Sequence, residues 1–446
     1  MNCTRNLISV EQFNLSGFVD VKGTDDDGVM IELYPLTEPD TTVARMRERF
    51  PTVGMELNQA TLFDHRDSEP LYTATTDTAG AYRITNIPAG DYNLVARKFG
   101  YGWRYIYNVN ADTEPQTIPL YAEQHVSGTL DSYTEWPAFQ HVIVEDDVTV
   151  PEGGTLLINE GVVVRSQRGK GLIVHGQLLA YGSNAAKIWF VADDEEWRGI
   201  QINSSKKCDI YHCVMKECDT GFVIDEGQIY VDNFYVKNVL SFGFYLKRLS
   251  KFELNRSVLK NSCIKCESNT EGEISNSLIA GEGKSENPAF ILNSSKIKLY
   301  NNCIFDHSGP IVIQYYSEVE LWYNYFLSLE QCIYCEYYSN VIVNKNTFED
   351  FKTDCIVLYK HGYITINNNN FISDHSKRII WITPSPFDNP HNMNAKYNYW
   401  GTIFPSAIYQ RIIDERVNEN KNEMNWEIII EPFRDEIIKD AYPTSK

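Results

Sequence analysis

Two rhythms of apolar residues divide the chain. Over residues 12 to about 124, short alternating runs sit between turn residues: Leu15-Ser-Gly-Phe-Val19, Val29-Met-Ile-Glu-Leu-Tyr34, Ala81-Tyr-Arg-Ile84, Tyr92-Asn-Leu-Val-Ala96 and Gln116-Thr-Ile-Pro-Leu-Tyr121. Strands of this length and spacing predict an antiparallel sandwich. After a polar and aromatic stretch the runs shorten to three or four residues broken by glycine-bearing corners, as in Val148-Thr-Val150, Gly161-Val-Val-Val164 and Ile188-Trp-Phe-Val191. From Ile210 to Thr402 they become a repeat in which an asparagine stands two places before an apolar residue: Asn233-Phe-Tyr235, Asn276-Ser-Leu278, Asn302-Cys-Ile304, Asn324-Tyr-Phe326, Asn346-Thr-Phe348, Asn369-Asn-Phe371 and Asn398-Tyr-Trp400. The steps from 302 to 324, 346 and 369 are 22, 22 and 23 residues. His212-Cys-Val214 and Arg256-Ser-Val258 read as copies without the asparagine.

A unit of about 22 residues holding three very short strands cannot bury a face alone. Stacked coaxially, each unit adds one parallel rung at about 4.8 Å, and nine marked units give a core roughly 40 Å long. Asparagine amides stacked at one corner hydrogen-bond one another and the turn backbone, so the column reads as structural, not catalytic. The predicted fold is therefore all-β: a sandwich over 12–124 with an insertion at 37–70, a linker at 125–141, a parallel β-helix over 142–402, and a cap and tail over 403–446. Within the insertion Thr42 to Phe50 predicts a short helix, and the stretch Ile403 to Val417 is expected to contain another that covers the last open rung.

Particular motifs sharpen both halves. Gly17-Phe-Val19, Thr76-Asp77, Gly80-Ala-Tyr82, Ile87-Pro-Ala-Gly90, Tyr92 and Gly100-Tyr101 resemble the carboxypeptidase regulatory-like (transthyretin-like) domain. That resemblance implies an accessory β-sandwich without chemistry of its own. Val150-Pro-Glu-Gly-Gly-Thr-Leu156, Trp197-Arg-Gly-Ile200 and the closing Asn398-Tyr-Trp-Gly-Thr402 resemble right-handed parallel β-helix proteins of the pectate-lyase-like superfamily, over about 142 to 434. Both resemblances imply an extracellular or surface setting, whereas Met1 to Val10 shows no basic segment followed by an apolar core. The enzymes' signatures do not follow: there is no paired Asp-Asp with His-Gly and Arg-x-Lys on later rungs, and no Asp-Pro-His.

Charge narrows the partners. The formal net charge of -20 disfavours nucleic acid and anionic membrane surfaces, and no run of 18 apolar residues predicts a membrane span. Ten cysteines, nine of them between Cys208 and Cys355, do not read as a disulfide framework in a chain of 446 residues. Cys263-Ile-Lys-Cys266 and Cys332-Ile-Tyr-Cys335 have zinc-like spacing, but three rungs part them by about 14 Å, too far for one ion. They read as core, and no cofactor or metal is expected.

Two groups remain as candidate chemistry. Asp306 and Asp350 lie four places after their asparagine markers and Asp374 five, with His307 and His375 following Asp306 and Asp374. Asp350 and Asp374 on adjacent rungs would stand about 5 Å apart, the separation of a retaining glycosidase pair. With His375 as base, and Lys352, Lys377 or Arg378 supplying charge, they form the catalytic candidate. The bland alternative is solvated corner residues. Tyr315, Tyr316, Trp322, Tyr337, Tyr338 and Tyr359 fall on consecutive rungs. They read either as a sugar-stacking face or as a surface ladder that stabilises the sheet. The expected function is a non-catalytic β-helix that binds an extended polysaccharide or serves as a rigid scaffold. A polysaccharide lyase or glycoside hydrolase is the competing class, and a protein-interaction module the third.

Overall fold

The structure is a computed structural model that describes residues 11–282, 288–359, 362–374, 376–383, 392–413 and 427–444. The N-terminal part consists of β1 (Gln12–Val21), β2 (Met30–Pro35), α1 (Thr41–Arg49), β3 (Tyr72–Thr75), β4 (Ala81–Pro88), β5 (Tyr92–Arg97), β6 (Arg104–Val109) and β7 (Thr117–Leu120). Two sheets, ordered β4-β1-β7 and β3-β2-β5-β6, close on a shared core that includes Leu15, Val19, Ile31, Leu33, Ile84 and Leu94. The β1–β7 pair is parallel, unlike the all-antiparallel expectation. Between β3 and β4, the Asp77 carboxylate accepts from the amides of Ala79 (2.9 Å) and Ala81 (3.0 Å). Gly80 has φ +74°, and a Cβ there would meet the Val19 carbonyl at 2.4 Å, so this turn requires glycine.

Among the described residues the remainder is a parallel solenoid whose main sheet has 30 strands, with a separate parallel pair, Asn392–Asn394 and Glu427–Ile429. The stretch expected as a linker is part of it. β8 (Gln124–Thr129) pairs parallel with β10 (His141–Val150), and β9 (Tyr133–Trp136) pairs with the next strand, Thr155–Asn159. Those residues look polar because a first turn has one open side. Each later turn has three faces. Face A carries five-residue strands such as Lys296–Tyr300 and Glu318–Trp322. Face B carries three-residue strands such as Cys303–Phe305 and Tyr325–Leu327. Face C carries strands such as Gly309–Gln314 and Ile333–Glu336. Phe326, Phe348, Phe371 and Trp400 stack inside with ring centroids 4.6, 5.2 and 5.1 Å apart.

The asparagine column holds from Asn302 onward. Asn302, Asn324, Asn346, Asn369 and Asn398 are fully buried at the A–B corner, each accepting from the main-chain N–H of the residue one rung before it. Before Asn302 the expected register is out by one. Asn233, Asn276, His212 and Arg256 are left-handed corner residues, with φ of 53°, 50°, 51° and 44°. Ser257 and Ser277 fill the buried column instead, Ser257 N–H donating to Ser277 Oγ (3.1 Å). A second column, not foreseen, runs up the C–A corner through Ser250, Thr270, Ser295, Ser317 and Ser339, all buried. Ser317 Oγ donates to the Leu292 carbonyl (2.9 Å) and accepts from the Ser295 amide (3.2 Å).

The register misleads because face B is apolar on both sides. Its outward residues Val214, Tyr235, Val258, Leu278, Cys303 and Tyr325 form one cluster with Val43, Met46, Phe50, Val53 and Met55 of the sandwich insertion. As predicted, a helix lies there: α1, whose N-terminus is capped by the Asp40 carboxylate accepting from Thr42 N–H (2.9 Å) and Val43 N–H (3.1 Å). The later rungs of the same face are crossed by the tail, residues 434–444, where Tyr442 meets Phe50 and Tyr325. A short helix, Pro405–Tyr409, lies within the stretch 403–417 expected to contain one. Ile412 then pairs with Ile380 on the last face C strand.

The nine cysteines from Cys208 to Cys355 are buried free thiols. Burial pushes Cys335 up to about 12 and Cys208 to about 11, which leaves them unreactive near neutrality.

Candidate functional site

Face C is where outward residues gather useful chemistry. Ile291, Val312, Tyr334, Val357 and Trp381 are in register on five successive strands, all pointing away from the core. They are half-buried apart from the buried Val357, and make an apolar strip along the solenoid axis. Two places on in each strand stands a polar column: Asn293, Gln314, Glu336, Tyr359 and Thr383. Glu336 is 5% exposed and is held by the Tyr334 hydroxyl (3.0 Å) and by the Gln314 amide. Burial and that carboxylate keep the Tyr334 hydroxyl protonated, well above its ordinary range. On the other edge Arg378 pairs in fork geometry with Asp354, its Nη2 lying 2.8 Å from Oδ2, while its guanidinium covers the Trp381 ring at 4.7 Å. An apolar floor between two rows of hydrogen-bonding groups suits a ligand with flat apolar faces and a polar rim.

The tyrosines singled out from the sequence lie mainly at the adjoining C–A corner. Tyr315 stacks on Tyr337 (4.9 Å, 4° between planes) and Tyr316 on Tyr338 (5.3 Å, 9°). Parallel rings this close must overlap face to face, because side-by-side coplanar rings would collide. The stack therefore runs along the axis, with Tyr315, Tyr316 and Tyr338 exposed and Tyr337 half-buried. Tyr359 does belong to face C, in the polar column. Trp322 does not: it lies at the far end of a face A strand, in register with Tyr300 and Asn344.

The carboxylates occupy the B–C corner. Asp306, Ser328 and Asp350 are successive left-handed residues there, with φ of 56°, 54° and 53°, a conformation that Asp and Asn tolerate best. Asp350 accepts from the Ser328 hydroxyl (3.0 Å). Burial raises Asp306, partly offset by Lys352 and Arg45. Asp374 is exposed; its Oδ1 accepts from the Ser376 amide (2.9 Å) and its carbonyl accepts from Arg411. Arg378, expected beside Asp374, is taken by Asp354. His375 lies outside the described residues. Trp381, Glu336 and Gln314 were missed, although Val312, Tyr334, Val357 and Trp381 are spaced 22, 23 and 24 residues apart. A second apolar column, tracked beside the first, finds them.

Two other places compete. Asp64, Asp67 and Glu217 form the one cluster of metal-ligand type found among the described residues. Lys216 lies 3.0 Å from both Asp64 and Asp67, and Arg66 lies 2.7 Å from Asp64 and 3.3 Å from Glu217, so cations of the chain already pair with all three carboxylates. An open depression of about 510 Å³ lined by Glu152, His175, Asn203 and Lys206 lies at the C–A corner of the early turns, with no apolar floor.

The family described as right handed beta helix region matches residues 230–389. No curated protein matches. A type II cohesin–X-dockerin complex from Acetivibrio cellulolyticus is similar over a part, at 17% identity and a TM-score of 0.16, covering 25% of this chain and 59% of that one.

Proposed function

We propose that the chain is a non-catalytic, surface or exported scaffold whose face C binds an extended neutral polysaccharide. The apolar column from Ile291 to Trp381, flanked by Gln314, Glu336 and Tyr359 on one side and Asp354 on the other, carries this reading. Rungs repeat at about 4.8 Å, so a linear polymer laid along the axis meets an equivalent environment at each step. The preference for a neutral chain follows from the pairing of the cations beside the face: Lys265 with Glu267 at 2.7 Å, and Arg378 with Asp354. The sandwich would then be a carboxypeptidase regulatory-like accessory domain that fixes the solenoid to a larger assembly.

The test is binding measured against a panel of neutral glucans and xylans beside pectate and alginate, with release of products followed in the same samples. Tyr334→Ala and Trp381→Ala should each weaken binding of the neutral polymer about tenfold, roughly 1.4 kcal/mol. Leu240→Ala, a change at an exposed residue elsewhere, should leave it unaltered. Equal binding by all three variants, or binding of polyuronates alone, overturns the reading.

A further inference from the structure

The tail crosses face B by means of its main chain. Asn370 Nδ2 donates to the Ile438 carbonyl (2.9 Å) and Asn370 Oδ1 accepts from the Ile438 amide (2.8 Å). Asn301 repeats this on Thr444: its Oδ1 accepts from the Thr444 amide and its Nδ2 donates to the Thr444 carbonyl at 3.2 Å. Between them the Thr347 hydroxyl donates to the Ala441 carbonyl. A carboxamide that closes two hydrogen bonds on both polar groups of one residue reads a peptide main chain irrespective of its side chains. Asn301 and Asn370 are three rungs apart, about 14 Å, and engage residues six apart, the chain between them turning at Lys439 and Asp440, where the Ala441 amide donates to the Ile438 carbonyl (3.2 Å).

Two side chains add selectivity. Ala441 is fully buried, so a larger residue has no room there. Tyr442 packs against the touching pair Phe50 (6.3 Å) and Tyr325 (5.9 Å) with the Arg49 guanidinium 5.4 Å from its ring. Ile437, Lys439 and Asp440 stay exposed, Asp440 reaching Lys345 at 2.7 Å. Among the described residues the tail forms no β-ladder on face B; beyond Arg434, whose amide donates to the Asn398 carbonyl (2.9 Å), its main chain is held by side chains of the solenoid and by Thr52 of the insertion.

We propose that the outer surface of face B between Asn301 and Asn370 is a peptide-binding groove, and that the segment Arg434–Thr444 is its ligand, held in cis and separable from the fold. The groove takes a peptide that makes one turn and then presents a small residue followed by an aromatic one. This site is independent of the polysaccharide face.

The chain truncated after Phe433 is titrated calorimetrically with a synthetic peptide of residues 434–446. Saturable one-to-one binding is expected. Asn370→Ala in the chain, or Tyr442→Ala in the peptide, should weaken it at least tenfold, and Lys439→Ala in the peptide less than threefold. A truncated chain that shows the parent's circular dichroism and takes up no peptide overturns the proposal. If truncation prevents folding, the full-length Asn301→Ala/Asn370→Ala variant is digested briefly with protease. Cleavage confined to 434–444 supports a separable ligand, and a tail as resistant as the parent's overturns it.

Discussion

Asn346 has one amide and five partners. Its Oδ1 accepts from the main-chain N–H of Asn324 (2.8 Å) and from Asn324 Nδ2 (3.0 Å). Its Nδ2 donates to the carbonyls of Leu321 (2.8 Å) and Asn344 (3.1 Å) and to Asn369 Oδ1 (3.2 Å). Replacing it with alanine leaves a buried N–H and a buried carbonyl without a side-chain partner, each worth about 1–3 kcal/mol. Asn346→Ala should therefore cost about 3 kcal/mol, read as a shift of the denaturant midpoint, while Asn340→Ala on exposed face A should be near neutral. This column was legible because asparagine is distinctive and the spacing is regular. The serine column at the C–A corner was not, since Ser250, Thr270, Ser295, Ser317 and Ser339 use residue types common everywhere. The paired tyrosines at that corner are unusual in another way. Tyr315, Tyr316, Tyr337 and Tyr338 all take left-handed φ of 52–62°, which bulky residues rarely do. The order of about 1 kcal/mol each that this costs is set against ring stacking between turns.

Among elements, face B decides how much of the solenoid could be read. Alternation in a strand marks an inward and an outward side only when the outward side meets water. Here Tyr235, Val258 and Leu278 point outward and are still apolar, because the insertion packs on them. The asparagine-to-apolar marker consequently locked onto the wrong member of each pair in four early turns. The existence of the rungs, the helix in the insertion and the sandwich strands were all legible, since each follows from local period and turn residues. That the insertion would lie on the solenoid was not, because nothing local specifies it. Gly54 is the tightest point of that contact. It has φ +74°, and a Cβ would come within 2.7 Å of Leu278 Cδ1. Gly54→Ala should loosen the insertion by about 1–3 kcal/mol, seen as faster proteolysis within 41–67 while the solenoid stays intact.

At the scale of the molecule, the sandwich and solenoid share a buried aromatic and ionic junction. His65 lies 4.8 Å from the Trp103 ring and His141 4.6 Å from the same ring. Burial holds His65 down at about 4 and His141 well below its ordinary value. Between pH 6.5 and 4 the unfolded chain takes up protons that these folded imidazoles refuse, so stability is full above about 6.5 and falls as pH drops. For His65 the whole window amounts to about 3 kcal/mol. Asp64, despite burial, is held low by Arg66 and Lys216, and its contribution is lost below the usual carboxylate range. The Tm should decline from pH 7 to 4.5 and more steeply below 4, and His65→Gln should flatten the upper part. A constant Tm down to pH 4.5 would contradict the assignment. The meeting of the two ends on face B has a further consequence. Thr52 donates to the Thr444 carbonyl at 3.2 Å, so the insertion and the tail touch midway along the solenoid. Repeat proteins ordinarily gain or lose a unit by duplication or deletion with little harm. In this chain one added turn between Tyr325 and Asn370 would carry the tail about 4.8 Å further from Phe50 and Thr52. The two ends thus act as a gauge on copy number over the turns between Val163, where the insertion cluster begins, and Asn370, where the tail is held.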